Sequence, residues 1–112
     1  MRYSSIAKWQ YWTAIVLLVV LSIHLLFRIL PGSYDKSLEY NQVRENYSNN
    51  LYIVTLIVLL FVALFHAFNG LRVILYEFSP RLGRIATPVI LALGIIFAIL
   101  GLLTMAGIYI FP

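Results

Sequence analysis

The sequence lacks cysteine and has few charged residues. Without thiolates the chain cannot form a disulfide, hold an iron–sulfur cluster through cysteine or build a thiolate zinc site. Only 11% of the 112 residues are charged and 62% are hydrophobic, whereas about a quarter of residues are charged in soluble domains. This composition excludes an ordinary soluble domain and indicates a protein that lies in lipid.

The net charge of +4 resembles that of a nucleic-acid-binding protein. The basic residues, however, lie near the ends of apolar runs, where lipid headgroups and the excess of lysine and arginine on the cytoplasmic side of membranes account for them. We therefore expect membrane lipid as a partner and no binding of nucleic acid.

Three apolar runs predict transmembrane helices at about residues 12–30, 51–76 and 85–111. A helix needs roughly 20 apolar residues to cross a hydrocarbon core about 30 Å thick, so each run is long enough. The first run is long for a signal peptide and lacks a small-residue cleavage site. We expect one all-α domain over residues 1–112, an integral membrane bundle of three transmembrane helices.

The connections between the runs differ in length and polarity. Pro31-Gly32 cannot continue a helix, and the polar, turn-rich residues 31–50 predict a loop with a short helix around 37–45. About ten residues join the second and third runs, so those helices should be antiparallel neighbours.

The distribution of lysine and arginine predicts the orientation of the bundle. The N-terminus and the second connection share one end of the bundle, which carries one acid, Glu77, and several bases: Arg2, Lys8, Arg72, Arg81 and Arg84. We expect that end, with the N-terminus, to be cytoplasmic, and the first loop and the C-terminus to face outward.

Small residues in the third run form a stripe on one side of the helix. Gly94, Ala98 and Gly101 recur at helical spacing, which lets another backbone approach closely. We interpret the stripe as a helix-packing surface, with the edge of a cofactor as the alternative.

His66 is the strongest candidate for chemistry because ionisable groups at membrane depth are costly. It lies roughly 15 Å from the inner end of the second helix, and Gly70 and Glu77 fall on the same helical face. Gly70 would leave room beside the imidazole for a haem macrocycle. An axial haem ligand, a member of a transport or proton pathway, and a hydrogen-bond partner of a neighbouring helix all remain open for His66.

Two further ionisable residues, His24 and Arg28, share a face of the first helix. Helical rise places His24 about 5 Å further from the inner surface than His66. For His24 we favour an interhelical hydrogen bond over a haem contact. Arg28 can extend to the surface, where it is a candidate partner of a haem propionate. At the inner end, Glu77 could pass protons to a substrate reduced at the interface.

Residues 65–72 (FHAFNGLR) and 76–78 (YEF) together resemble the second helix of the membrane-anchor subunits of succinate dehydrogenase and fumarate reductase, respiratory complex II. In that family a haem-ligating histidine is followed by a glycine four residues on and by an acidic–aromatic pair eleven and twelve residues on. The three-helix architecture and the basic stretch after the pair agree with it.

The resemblance implies haem b, one per pair of anchor subunits, and a quinone site near the docked iron–sulfur subunit. His66 would supply one axial ligand to the haem iron and a second membrane-anchor subunit the other. The chain resembles the D-type anchor more than the C-type, because the serine and arginine pattern of the C-type first helix is missing. Arg72 resembles a feature of the C-type, so both assignments remain open.

The family's quinone residues map onto this sequence with changes. The aspartate falls at Glu77, and the quinone-bonding tyrosine falls at Phe78, which has no hydroxyl, so that role could have passed to Tyr76. In the D-type anchor, an arginine near the start of helix one lies close to the quinone or the haem. In this sequence Tyr11 takes that position, with Gln10 beside it.

The sequence thus predicts an anchor that holds the flavoprotein and iron–sulfur subunits on a prokaryotic cell membrane or an equivalent respiratory membrane. It would help to pass electrons to quinone as substrate, without oxidising succinate itself. The alternative is a cofactor-free structural or assembly subunit, or half of a small proton-coupled transporter.

Overall fold

The computed structural model describes residues 3–30 and 32–110, so the predictions that fall on Arg2, Pro31 and residue 111 lie outside it. The described part is helical and has no strand, and three of its helices are long and apolar enough to cross a membrane. The prediction of an all-α bundle with three spans is confirmed. The helices are α1 (Tyr3–Ile29), α2 (Tyr34–Ser37), α3 (Tyr40–Tyr47), α4 (Asn50–Phe78) and α5 (Pro80–Ile110).

Helix α1 begins at Tyr3, well before the apolar run that starts at Trp12. The added turns are helical because they pack on α4: Ile6 is fully buried, and its carbonyl oxygen accepts a hydrogen bond of 2.9 Å from Asn69. Tertiary contact, rather than hydropathy, therefore keeps the residues before the apolar run helical.

The connection between α4 and α5 is shorter than the ten residues expected. Only Ser79 separates the two helices. Its backbone is extended (φ −166°, ψ 131°), its N–H donates to the carbonyl oxygen of Leu75 (3.0 Å), and its own carbonyl oxygen accepts from the N–H of Gly83 (3.1 Å). Pro80 takes the first position of α5, where a missing N–H costs nothing. One residue therefore reverses the chain.

The first connection holds two short helices where the sequence predicted one around 37–45. The Ser33 hydroxyl caps α2 by accepting from the N–H of Lys36 (3.1 Å), and the extended Glu39 separates α2 from α3. Asn49 caps α4 by accepting from the N–H groups of Leu51 and Tyr52 (2.9 and 3.4 Å). Side-chain caps of this kind satisfy the free N–H groups at a helix start.

Helix α4 lies between α1 and α5, and each of these packs antiparallel to it. Phe68 of α4 stacks on Phe97 of α5 at 6.1 Å between ring centroids. A Cβ atom added to Gly94 would lie 3.7 Å from Phe68, and one added to Gly101 would lie 2.8 Å from Leu60. Helix α4 therefore packs against the small-residue stripe, as expected for a packing surface.

Candidate functional site

His66 lies partly buried in α4 and faces α1. Its Nδ1 is 3.1 Å from the Thr13 hydroxyl oxygen, which itself donates to the carbonyl oxygen of Trp9 at 2.8 Å. When the single hydroxyl proton lies on the Trp9 carbonyl oxygen, Thr13 accepts from His66. In that arrangement the Nδ1 atom of His66 carries a proton and Nε2 keeps its lone pair.

The Nε2 atom of His66 faces the side-chain amide of Gln10 at 3.4 Å. The Gln10 Oε1 accepts from Asn69 Nδ2 (3.1 Å), which also donates to the carbonyl oxygen of Ile6 (2.9 Å). Asn69 is only 3% exposed. A polar network therefore occupies the α1–α4 interface.

Gly70 provides the space that this network needs. A Cβ atom there would lie 2.7 Å from the Gln10 Nε2 and 3.4 Å from its Cδ. The side chain of Gln10 therefore lies directly over Gly70, in the space where the sequence analysis placed a haem edge. The structure brings Gln10, His66 and Gly70 together, although they had been assigned to two different sites.

The other predicted quinone residues lie apart from this network. The Tyr76 ring packs over Gly83 of α5, where an added Cβ would lie 2.5 Å from the ring. Glu77 is exposed at the end of α4. Tyr11 is 74% exposed and Phe78 80% exposed. Only Tyr76 and Glu77 therefore share an end of one helix, and Tyr11 projects away from its neighbour Gln10.

His24 and Arg28 lie toward the other end of α1, both partly buried. The His24 ring is 6.1 Å from the buried ring of Tyr52. Thr13, which contacts His66, is about 16 Å from His24 along α1 at 1.5 Å per residue. The predicted depth difference of about 5 Å is therefore wrong, because it was counted from the apolar run and α1 extends well beyond that run. His24 and His66 do not share a site.

A cleft of about 650 Å³ opens between α1 and α5 alongside α4. We call it the Arg72 cleft. Arg72 lines it, and the Nε of this guanidinium is buried without a hydrogen-bond partner among the described residues. The residues that line it come from all three long helices and are mostly apolar; they include Trp9, Thr13, Phe61, Phe65, Phe68, Asn69, Thr87, Ile90, Leu91 and Ala98.

Sequence reasoning missed Asn69 and gave Thr13 no role. A single asparagine inside a long apolar run indicates an interhelical hydrogen bond, and that criterion would have found Asn69. Thr13 carried no comparable indication, because a threonine can bond to its own helix backbone. Its role follows only from the register of α1 against α4.

The described residues offer no group of three or more histidine or acidic side chains that could hold a bare metal ion.

Residues 5–102 match the family model of the succinate dehydrogenase/fumarate reductase transmembrane subunit. The chain belongs to this family. Comparisons with curated proteins and with solved structures gave no match. The chain is a membrane-anchor subunit of succinate dehydrogenase or fumarate reductase, part of an oxidoreductase complex, and associates in the membrane with other subunits of complex II. Its assignment to the D-type stays a prediction.

Proposed function

We propose that this anchor subunit binds haem b through His66 and helps to pass electrons from the iron–sulfur subunit to quinone. The observation that carries the proposal is the hydrogen bond between His66 Nδ1 and Thr13 (3.1 Å). Metal-bound histidines almost always donate their other N–H in this way, which fixes the tautomer and the ring orientation. The remaining nitrogen then carries the lone pair that iron requires.

The depth of His66 suits a haem held inside the bilayer. The residue lies about 18 Å along α4 from its end at Phe78, so it is far from the aqueous surface. A haem with two neutral imidazole ligands places no charged side chain there. The second ligand would come from the partner anchor, which gives one haem per pair of anchors.

The residues present fit the haem if Gln10 moves. The contact between Gln10 and His66 Nε2, 3.4 Å, is longer than the usual 2.7–3.2 Å of a hydrogen bond. Rotation of this unbranched side chain would open the space over Gly70, where no Cβ intrudes. Haem, when bound, supplies reversible one-electron transfer at its iron. The protein holds His66 in position and orients its ring.

We place the quinone at the end of the bundle where α1 starts and α4 finishes. Glu77 is exposed there, in the last turn of α4. Quinone reduction needs protons as well as electrons, and a carboxylate at the membrane surface can relay them from water. We assign this proton-delivery role to Glu77 and place Tyr76 beside the quinone. This end would be cytoplasmic, where the flavoprotein and iron–sulfur subunits dock.

Absorption spectra of the purified complex test the haem assignment. We expect His66→Ala to abolish the spectrum of a haem with two imidazole ligands. His24→Ala is the matched control, since it removes another partly buried histidine of the same bundle, and its spectrum should be unchanged. An unchanged spectrum in His66→Ala as well would overturn the proposal.

Enzyme assays of the same complex test Glu77. We expect Glu77→Gln to slow quinone reduction while leaving succinate oxidation by an artificial soluble acceptor intact. Equal loss of both activities would indicate a defect of assembly rather than of proton delivery.

The alternative function is a cofactor-free structural or assembly subunit. It is favoured by one observation, that both ring nitrogens of His66 face polar side chains of α1, as expected for a histidine that only joins two helices. The haem spectrum decides between a haem-binding anchor and a cofactor-free subunit. A complex isolated without haem, yet fully assembled and active with quinone, would support the alternative.

A further inference from the structure

We propose that the Arg72 cleft binds a membrane phospholipid, with the phosphate on Arg72 and one acyl chain along α4. The cleft adjoins the His66 network, because Thr13 and Asn69 line it, but the function proposed above does not use its charged end at Arg72. It lies on a different side of α4 from Gly70, because residues 70 and 72 project about 160° apart on a helix. A haem edge over Gly70 would therefore not enter it.

The charge of Arg72 calls for an anionic partner. A guanidinium at membrane depth is costly unless it is paired. The Nε of Arg72 is buried and has no hydrogen-bond partner in the part of the chain that the structure describes. None of the residues described as lining the cleft is acidic. Arginine binds phosphate through paired N–H groups, so a phosphodiester would satisfy both its charge and its geometry.

The polar end of the cleft lies near the membrane surface. Arg72 is about 9 Å along α4 from the helix end at Phe78. The exposed basic residues Lys8 and Arg81 lie toward the same end. Basic pockets between transmembrane helices at this depth bind phospholipid headgroups. The lipid would belong to the leaflet on that side.

The length of the cleft matches one leaflet. Its walls extend along α4 from Arg72 to Phe61, about 16 Å at 1.5 Å per residue. The hydrocarbon core is about 30 Å thick, so one leaflet accounts for roughly half of it. Phe61, Phe65 and Leu91 give this stretch apolar walls, which suit an acyl chain that runs from the surface toward the bilayer centre.

The volume of the cleft is that of a small-ligand site. The cleft holds about 650 Å³, within the range of roughly 300–1,000 Å³ found for sites of small ligands. One acyl chain with its headgroup is a ligand of this kind.

Native mass spectrometry of the complex, purified in mild detergent, tests the proposal by counting retained phospholipids. We expect Arg72→Gln to lose one phospholipid per copy of the subunit, with at least a tenfold fall in the retained fraction. Arg72→Lys keeps the charge and should retain most of it. Arg84→Gln is the matched control, because it removes an exposed arginine at the same end, and should retain the lipid fully.

A second variant tests the acyl-chain part of the cleft without touching the charge. Ala98 lines the cleft on α5, and Ala98→Phe should expel the same phospholipid while Arg72 stays in place. If Arg72→Gln fails to assemble, Ala98→Phe alone tests whether the Arg72 cleft holds the phospholipid.

Three results would overturn the proposal. Retention of the phospholipid in both Arg72→Gln and Ala98→Phe would show that the cleft does not hold it. An equal loss in Arg84→Gln would show general attraction of headgroups to a basic surface. Loss of bound quinone from Arg72→Gln, with the phospholipid count unchanged, would show that the cleft holds quinone instead.

Discussion

The contact between Tyr76 and Gly83 gives the sharpest test of the packing between α4 and α5. A Cβ atom at position 83 would lie 2.5 Å from the Cγ and Cδ2 atoms of the Tyr76 ring and 2.7 Å from its Cδ1. The best separation of two carbon atoms is about 3.5–4.0 Å, so the methyl group of Gly83→Ala overlaps the ring by about 1 Å. The overlap involves the base of the ring, which cannot move without a new Tyr76 rotamer or a shift of α5.

The expected loss of stability in Gly83→Ala is worked out against a control substitution in the same helix. Overpacking typically costs about 1–3 kcal/mol, but alanine also gains up to about 1 kcal/mol over glycine in helix propensity. Gly107→Ala has the same gain, and its Cβ would meet nothing within 4 Å among the described residues. The propensity terms therefore cancel, and Gly83→Ala should be less stable than Gly107→Ala by about 1–3 kcal/mol.

Thermal unfolding of the purified complex measures this difference. We expect Gly83→Ala to melt at least roughly 2 °C below Gly107→Ala. Gly101→Ala should fall between them, because its Cβ would lie 2.8 Å from the two Cδ atoms of Leu60, which a side-chain rotation can move. Equal melting temperatures for Gly83→Ala and Gly107→Ala would refute the reasoning. In the double variant Tyr76→Ala, Gly83→Ala, the cost of the added methyl group should disappear.

Three further predictions concern the polar network around His66. Gln10→Ala clears the space over Gly70, so haem-depleted complex should bind added haem a few-fold more tightly in a Soret titration; weaker binding would show that Gln10 supports the haem. Thr13→Val removes the acceptor of the His66 N–H and should weaken haem binding about 10–100-fold, whereas Thr13→Ser should restore it. Asn69→Leu should destabilise the complex by about 0.6–1.7 kcal/mol, measured by thermal unfolding; no change would show that its hydrogen bonds do not matter.

The number of helices was predictable from the sequence, but their ends were not. Hydropathy and length alone decide whether a segment can cross a bilayer, so each of the three runs was recognised. The ends depend on tertiary packing. Ile6 is buried against α4, and Tyr76 is packed on Gly83. These contacts keep two segments helical that the sequence had assigned to the N-terminus and to the second connection.

The candidate site was predictable only in part, for a similar reason. His66 stood out because an ionisable residue deep in an apolar run is rare. The partners of His66 could not be deduced, since they depend on which face of α1 covers α4 and at what register. The same uncertainty misplaced His24, whose depth was counted from Trp12 as the inner end of α1. The helix instead starts before that run, and Trp9 already packs edge-on against Phe65 (6.2 Å) beside His66.

The network around His66 has a consequence for both helix register and haem binding. Apolar faces in lipid can slide along one another at little cost, since no hydrophobic force holds them. A slip of one turn, about 5.4 Å, would break the bonds of Asn69 to Ile6 and of Thr13 to His66. The contact that a bound haem would displace is the longest of the network, that of Gln10 with His66 at 3.4 Å. The shorter bonds, 2.9 and 3.1 Å, hold the register of α1 against α4.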